Sequence, residues 1–215
     1  MKILVIHYDK LVERKIHILK QFNNHGLNDF EFVSNHGKDK LTVQEKSRFK
    51  NLTDGEISLM LHHFECYKII SKKYDYAIIF EDDVILADSF KNKIEKYISD
   101  LPDDWDMLFF GEGQGAHIPQ YRLRPNVNIY KKMTDLKNNI PGGIDGSTRC
   151  ADSYIVSKKC AQKIVQVIDK LQITNIPLDH LLNKINHLCK FNIYWAEPTL
   201  AIQGTSNGTF KTSVR

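Results

Sequence analysis

The sequence predicts an α/β domain built on a mainly parallel sheet. Three observations carry that expectation. Short apolar runs of strand length alternate with longer stretches of helical period, two of those runs end abruptly in acids or in glycine, and no internal repeat or low-complexity block breaks the order. Sheets of this kind hold their ligands at the carboxyl ends of the strands, so those ends are where function is sought.

Residues 2–8 (KILVIHY) read as the first strand and 10–23 as a helix, with Leu11, Ile16, Ile18, Leu19 and Phe22 mostly on one face. Residues 30–33 form a second short strand, and the polar, basic twenty residues after it read as loop. Thr53 opens a helix, three residues before Glu56 as in a capping box. Ile57, Met60, Leu61, Phe64 and Tyr67 follow at helical spacing, and Leu59 and Ile69 widen the apolar surface, so that helix is expected to be largely buried. Residues 76–80 are the next strand. Asp88 or Ser89 then caps a helix bearing Phe90, Ile94, Tyr97, Ile98 and Leu101, which Pro102 ends.

WDMLFF (105–110) is another strand. Residues 111–146 are irregular, rich in Gly, Pro and Asn, with a short hairpin around 127–131. That stretch is long for a simple connection; it reads as a binding or lid segment over the strand ends, with disorder as the alternative. A strand at 153–156 and a helix at 158–171 resume the pattern. A further helix starts near Pro177, lined by Leu178, Leu181, Leu182, Ile185 and Leu188. Short strands at 193–195 and 200–202 follow, and the aperiodic tail 204–215 is expected to be mobile.

The 215 residues fit a single domain, 42% hydrophobic and 26% charged, as in an ordinary globular chain. A net charge of +4 is too small to argue for nucleic acid and compatible with an anionic small molecule. Cys66, Cys150, Cys160 and Cys189 have no ligand spacing and read as free thiols rather than a disulfide framework. The opening MKILVIHYD is too short for a signal peptide or membrane span, and no later stretch is long enough to span. The expectation is a cytoplasmic domain without a transmembrane segment, acting in solution or near a membrane surface, alone or as part of a longer protein. The oligomeric state is not legible.

Several chemistries are excluded by pattern. There is no GxxxxGK[ST] loop, GEGQG at 111–115 lacks the GxGxxG spacing, and no GxSxG, HExxH or C-x-x-C occurs. What remains is YAIIFEDDVIL at 76–86, with three successive acids at the end of an apolar strand. In an extended chain Glu81 and Asp83 point to one side and Asp82 to the other. Two carboxylates on one side suit a hard divalent ion, Mn²⁺ or Mg²⁺, which also binds diphosphate oxygens. The plain alternative is a solvated turn.

The run LTDGEISLMLHHFECYKIISKKYDYAIIFEDDVIL resembles the signature of glycosyltransferase family 25, which includes bacterial lipooligosaccharide glycosyltransferases and collagen galactosyltransferases. Gly55-Glu56, His62-His63 and Glu81-Asp82-Asp83-Val84 match its elements, with His62 where Ser is usual. The first strand with Asp9, Glu13 and Arg14, the strand WDMLFFG, Ser153-Tyr154-Ile155-Val156-Ser157 with Ala161, Ile176-Pro177-Leu178-Asp179, and Pro198 through Gln203 are similar to further elements, in family order. Cys150 and Asp152 replace a usual Gly and His.

The resemblance implies a GT-A type fold, with residues 1–110 binding a nucleotide-sugar and 147–203 receiving the acceptor. It implies Asp83 as main metal ligand, Glu81 supporting the metal or the ribose, and Asp82 reaching toward the donor sugar. Asp179 becomes the candidate general base, although an acid in a first helical turn is favoured there anyway. His63 joins the donor site as a buried supporting histidine in preference to a direct contact. His180 reads as a local hydrogen-bonding group. Arg14 would pair with the diphosphate or base edge, although an arginine early in an amphipathic helix ordinarily faces solvent. Gln203 would meet donor or metal, while Trp105 and Trp195 sit in apolar contexts that favour core packing over sugar stacking.

The implied activity is metal-dependent transfer of galactose or glucose from UDP-galactose or UDP-glucose to a saccharide or hydroxylysine-type acceptor, with inversion. Two rivals stand beside it: a non-catalytic nucleotide-sugar or carbohydrate-binding domain on a degenerate scaffold, and a metal-dependent phosphodiesterase using the same acids.

Overall fold

The computed structural model describes residues 1–113, 115–132, 146–171 and 173–214. Its strands are β1 (Ile3–Ile6), β2 (Phe30–Val33), β3 (Tyr76–Glu81), β4 (Val84–Leu86), β5 (Met107–Phe109), β6 (Ile129–Lys132), β7 (Ser153–Ser157), β8 (Ile193–Ala196) and β9 (Ala201–Gln203). Its α-helices are α1 (Val12–His25), α2 (Val43–Ser47), α3 (Asp54–Lys73), α4 (Phe90–Ser99), α5 (Lys158–Lys170) and α6 (Leu178–Cys189). Among the described residues a seven-stranded sheet runs β2-β1-β3-β7-β5-β8-β6, and β4 and β9 form a small antiparallel pair beside it. Strands β7 and β6 run against the rest, so the sheet is mixed but mainly parallel.

Burial on both faces explains the sequence of β3. Ala77 and Ile79 pack into a core with α3, α5 and α6, while Ile78 and Phe80 pack into a second core with α1 and α4. A strand covered on both faces reads as an unbroken apolar run rather than an alternating one. The capping box opening α3 is present: the Glu56 N–H donates to Thr53 Oγ1 at 3.2 Å, and the Thr53 N–H to Glu56 Oε2 at 2.8 Å.

Five local expectations are corrected. Residues 129–132 do not fold into a hairpin; they form the edge strand β6, antiparallel to β8, a partner more than sixty positions away that no local pattern specifies. The polar stretch after β2 contains α2, opened by a Thr42–Glu45 capping box, a signal overlooked because it lacks an apolar period. On α1 the buried side chains are Arg14, Ile18 and Phe22, whereas Ile16 is 63% exposed. On α6 Leu188 is 70% exposed and Asn183 and Asn186 are buried instead, because they hydrogen-bond the backbone and hydroxyl of Ser147. Ser89 occupies the N-cap of α4 with φ 58° but makes no side-chain cap bond.

The irregular 111–146 stretch lies partly outside the described residues. Residues 204–214 carry no helix or strand, yet they are hydrogen-bonded back to Arg14 on α1 and to Asp83 just after β3. All four cysteines are free thiols, and among the described residues no helix is long and apolar enough to cross a membrane.

Candidate active site

The central strand β3 delivers Glu81 to the end of the sheet, between β1 and β7. The backbone N–H of Glu81 donates to the Asp152 carbonyl at 2.8 Å, which sets the residue before β7 beside it. The β4–β9 pairing places Gln203 opposite Val84, and from there the Gln203 amide donates to Glu81 Oε2 at 3.3 Å. Gly111 allows the closeness: a Cβ there would lie 2.9 Å from Asp152 Oδ2 and would collide with Ser153 Oγ.

The three acids separate into different environments. Asp82 turns inward, accepting from Arg14 at 3.0 Å and pairing with His7 Nδ1 at 2.7 Å. Asp83 is fully buried; its Oδ2 accepts from the Thr205 N–H at 3.0 Å and from the Thr205 hydroxyl, with Arg14 3.6 Å away. Its Oδ1 has no hydrogen-bond partner among the described residues, and the same is true of Asp152 Oδ1, Asp179 Oδ1 and His63 Nε2.

Electrostatics marks this as a crowded anionic centre. Burial raises the Glu81 carboxyl well above the ordinary range, and Asp83, Asp152, Asp179 and Asp82 push it further. Burial, with Asp83 adding repulsion, lifts Asp152 to about 7 against the opposing hydrogen bond from Ser153. Asp179, in the first turn of α6, is raised by burial despite His180 and a backbone hydrogen bond from Ala151.

His63 is wholly buried on α3, its Nδ1 2.7 Å from the Tyr154 hydroxyl and its Nε2 3.8 Å from Glu81 Oε1. Burial first, then His62, lowers it to about 3, so it is neutral beside Glu81. Trp195 packs in the core with its indole N–H on the Ser147 carbonyl at 2.8 Å, and Trp105 packs edge-on to Tyr76.

The structure therefore brings Glu81, Asp82, Asp83, Arg14, His63 and Gln203 together, with Asp179 within electrostatic reach. Sequence reasoning missed Asp152, His7 and Thr205. The signal for His7 was available, a polar residue at the end of the first parallel strand. For Asp152 it was the replacement of a usual histidine immediately before a strand. Thr205 had none.

Sheet and site together define an α/β domain with a cluster of carboxylates at its strand ends. The chain belongs to glycosyltransferase family 25 (LPS biosynthesis protein), whose family model matches residues 1–182. It is 34% identical over 80 residues to procollagen galactosyltransferase 2 of Mus musculus, a match covering 35% of this chain and 13% of that protein. Over 69 residues it is 29% identical to a probable inactive glycosyltransferase 25 family member 3 of Rattus norvegicus, covering 30% of this chain and 12% of the relative. The matched stretch thus spans about an eighth of these relatives' length. Among solved structures it is similar to a Drosophila β1,4-galactosyltransferase 7 complex with manganese, UDP-Gal and xylobiose, with TM-score 0.47, 8% identity, and coverage of 92% of this chain and 65% of that one. It is also similar to the galactosyltransferase LgtC with donor and acceptor sugar analogs, with TM-score 0.46, 12% identity, and coverage of 87% and 70%.

Proposed function

We propose that this domain is a metal-dependent glycosyltransferase moving a hexose, galactose or glucose, from a UDP-sugar to a saccharide or hydroxylysine-type hydroxyl with inversion. The observation that carries the reading is the set of carboxylates at the strand ends and at the start of α6 in a family 25 chain. Three of them, Asp83, Asp152 and Asp179, each keep one oxygen without a partner among the described residues. Buried acids in that state are costly unless a cation compensates them, so the donor set fits a hard divalent ion, Mn²⁺ or Mg²⁺.

Glu81 and Asp83 would hold it. Among the described residues no group of three such ligands stands assembled; an ion held by these two carboxylates would complete its shell with phosphate and water oxygens. When bound, such an ion neutralises charge on the departing nucleoside diphosphate. The chain's own residues do the rest. Asp82 fixes Arg14 on the donor side, Gln203 holds Glu81 with His63 packed nearby, and Asp179 accepts the acceptor hydroxyl's proton at its unpaired Oδ1. The raised basicity of that carboxyl suits the task. Galactose is supported by the galactosyltransferase name of two relatives.

The naming of other relatives as inactive supports a second reading, a nucleotide-sugar-binding domain without turnover. A Mn²⁺-dependent UDP-release assay over a panel of UDP-sugars separates the two. Release that Asp83→Ala abolishes supports the transferase; saturable donor binding without release by any sugar supports the binding domain.

A further inference from the structure

The segment 205–214 runs directly over the acid cluster and consumes its hydrogen-bond donors. Arg14 donates through one guanidinium nitrogen to the Lys211 carbonyl at 2.7 Å and to Thr205 Oγ1 at 3.1 Å. Lys38 Nζ donates to the Ser213 carbonyl at 3.0 Å, and the Thr53 hydroxyl at the start of α3 donates to the Val214 carbonyl at 3.0 Å. Phe210 anchors the segment, with the Arg14 guanidinium 5.4 Å from its ring centre and His17 edge-on at 5.0 Å. The tip presses onto α3 so closely that a Cβ on Gly55 would lie 2.8 Å from the Val214 carbonyl carbon.

Beneath this strap lies a cavity lined by Tyr8, Arg14, Lys38, His62, Glu81 and Asp82, with Ser213 and Val214 as its cover. It holds about 50 Å³, against the roughly 300–1,000 Å³ of pockets that take small-molecule ligands. A water fits; a nucleotide-sugar does not. Three separate cationic or hydroxyl donors converge here on carbonyl oxygens, which are partners that an anionic ligand's oxygens outcompete.

We propose that residues 211–214 are an intramolecular stand-in for the donor substrate. Arg14, Lys38 and Thr53 form the binding set for the oxygens of a nucleoside diphosphate, and the strap occupies that set until the nucleotide displaces it. This deepens the transferase reading and rests on it. The strap competes with the ligand rather than folding over it, so apparent affinity is reduced by the fraction of molecules with the strap open. A strap closed in nine molecules of ten weakens binding about tenfold.

The test has two arms. In the nucleotide-free arm, amide hydrogen exchange is followed in the intact chain and in Gly55→Ala, which introduces a Cβ against Val214 at a helical position where alanine is favoured. Exchange at 211–214 should quicken in the variant while the core of β3 is unchanged; unchanged exchange at 211–214 overturns the proposal without involving any nucleotide. In the second arm, UDP with Mn²⁺ is titrated calorimetrically into the intact chain and into a chain ending at Phe210, with circular dichroism to confirm folding. The shortened chain should bind about tenfold more tightly. Lys38→Ala in that background should lose about tenfold, and UDP should speed exchange at 211–214 in the intact chain. Equal affinity in both chains, or slower exchange at 211–214 on UDP binding, overturns the strap and leaves the transferase reading standing. Absence of UDP binding in every variant, with strap exchange still quickened by Gly55→Ala, removes the donor reading instead.

Discussion

Replacing Arg14 by methionine tests the electrostatic account of the site most directly. Arg14 is buried at 6% exposure and Asp82 at 4%, so their 3.0 Å contact is not screened like a surface pair. Methionine keeps an apolar stem and removes the charge. What is left is Asp82 with only His7, and Asp83 without its nearby cation at 3.6 Å. Removing one partner of a buried pair costs about 3–5 kcal/mol, mostly as the penalty on the stranded charge. For a domain of this size each kcal/mol lowers Tm by roughly 2–4 °C, which gives a fall of about 6–20 °C. Urea unfolding followed by circular dichroism measures the loss, and a cycle with Asp82→Asn separates the pair from the packing. In the double variant the part of the penalty that falls on Asp82 should vanish, and what remains reports on Asp83, still without its cation. A single-variant loss below about 1 kcal/mol, within the range of an exposed pair, would refute the reasoning.

Three further outcomes are expected. Gly111→Ala should destabilise by about 1–3 kcal/mol through overpacking against Ser153 and Asp152, and a neutral result in thermal melts would show that the strand end has room to yield. Asp152 binds its proton more tightly in the folded state, about 7 against an ordinary 3.8, so its contribution to stability is lost as pH rises through that window. His62 and His63, lowered to about 4 and about 3, pull in the opposite direction as pH falls below 6.5. The readout is therefore the difference between Asp152→Asn and wild type in metal-free buffer: the variant should gain by up to about 1.4 kcal/mol per pH unit from pH 4 to 7, and a flat difference would contradict the burial argument. Finally, Asp179→Asn should lower kcat for UDP-sugar turnover about 10²–10⁴-fold with nucleotide affinity preserved; matched losses in both would make Asp179 a structural residue.

The layers and the acid-bearing strand were legible because each rests on a local pattern. The run YAIIF announces a strand buried on both faces, and Thr53 with Glu56 announces a helix start whose bonds are present. Where expectation failed, the determining partner was distant in sequence. Nothing near Ile129 specifies Ala196 as its neighbour. Arg14 looked like a solvated residue because its two carboxylates lie sixty-eight and more positions away. Ile16 reaches water because Arg14, Ile18 and Phe22, spaced by four, share the buried face of α1 and Ile16 lies off it. Asn183 and Asn186 displaced Leu188 from the core, since a buried backbone that needs hydrogen bonds can outweigh a methyl-rich side chain.

The bonds from Arg14 to Thr205 and Lys211 join positions 191 and 197 residues apart. Such closures come late in folding, since nearly the whole chain must be ordered before they form. During synthesis, which adds residues from the amino end, helix α1 and the strand bearing Glu81 emerge long before position 205 does. Through that interval Asp83 has neither Thr205 nor its final shelter, and water or a passing metal ion can reach it freely. The centre thus matures last, after its scaffold, and damage to residues 205–211 should spare early folding while leaving the finished centre open.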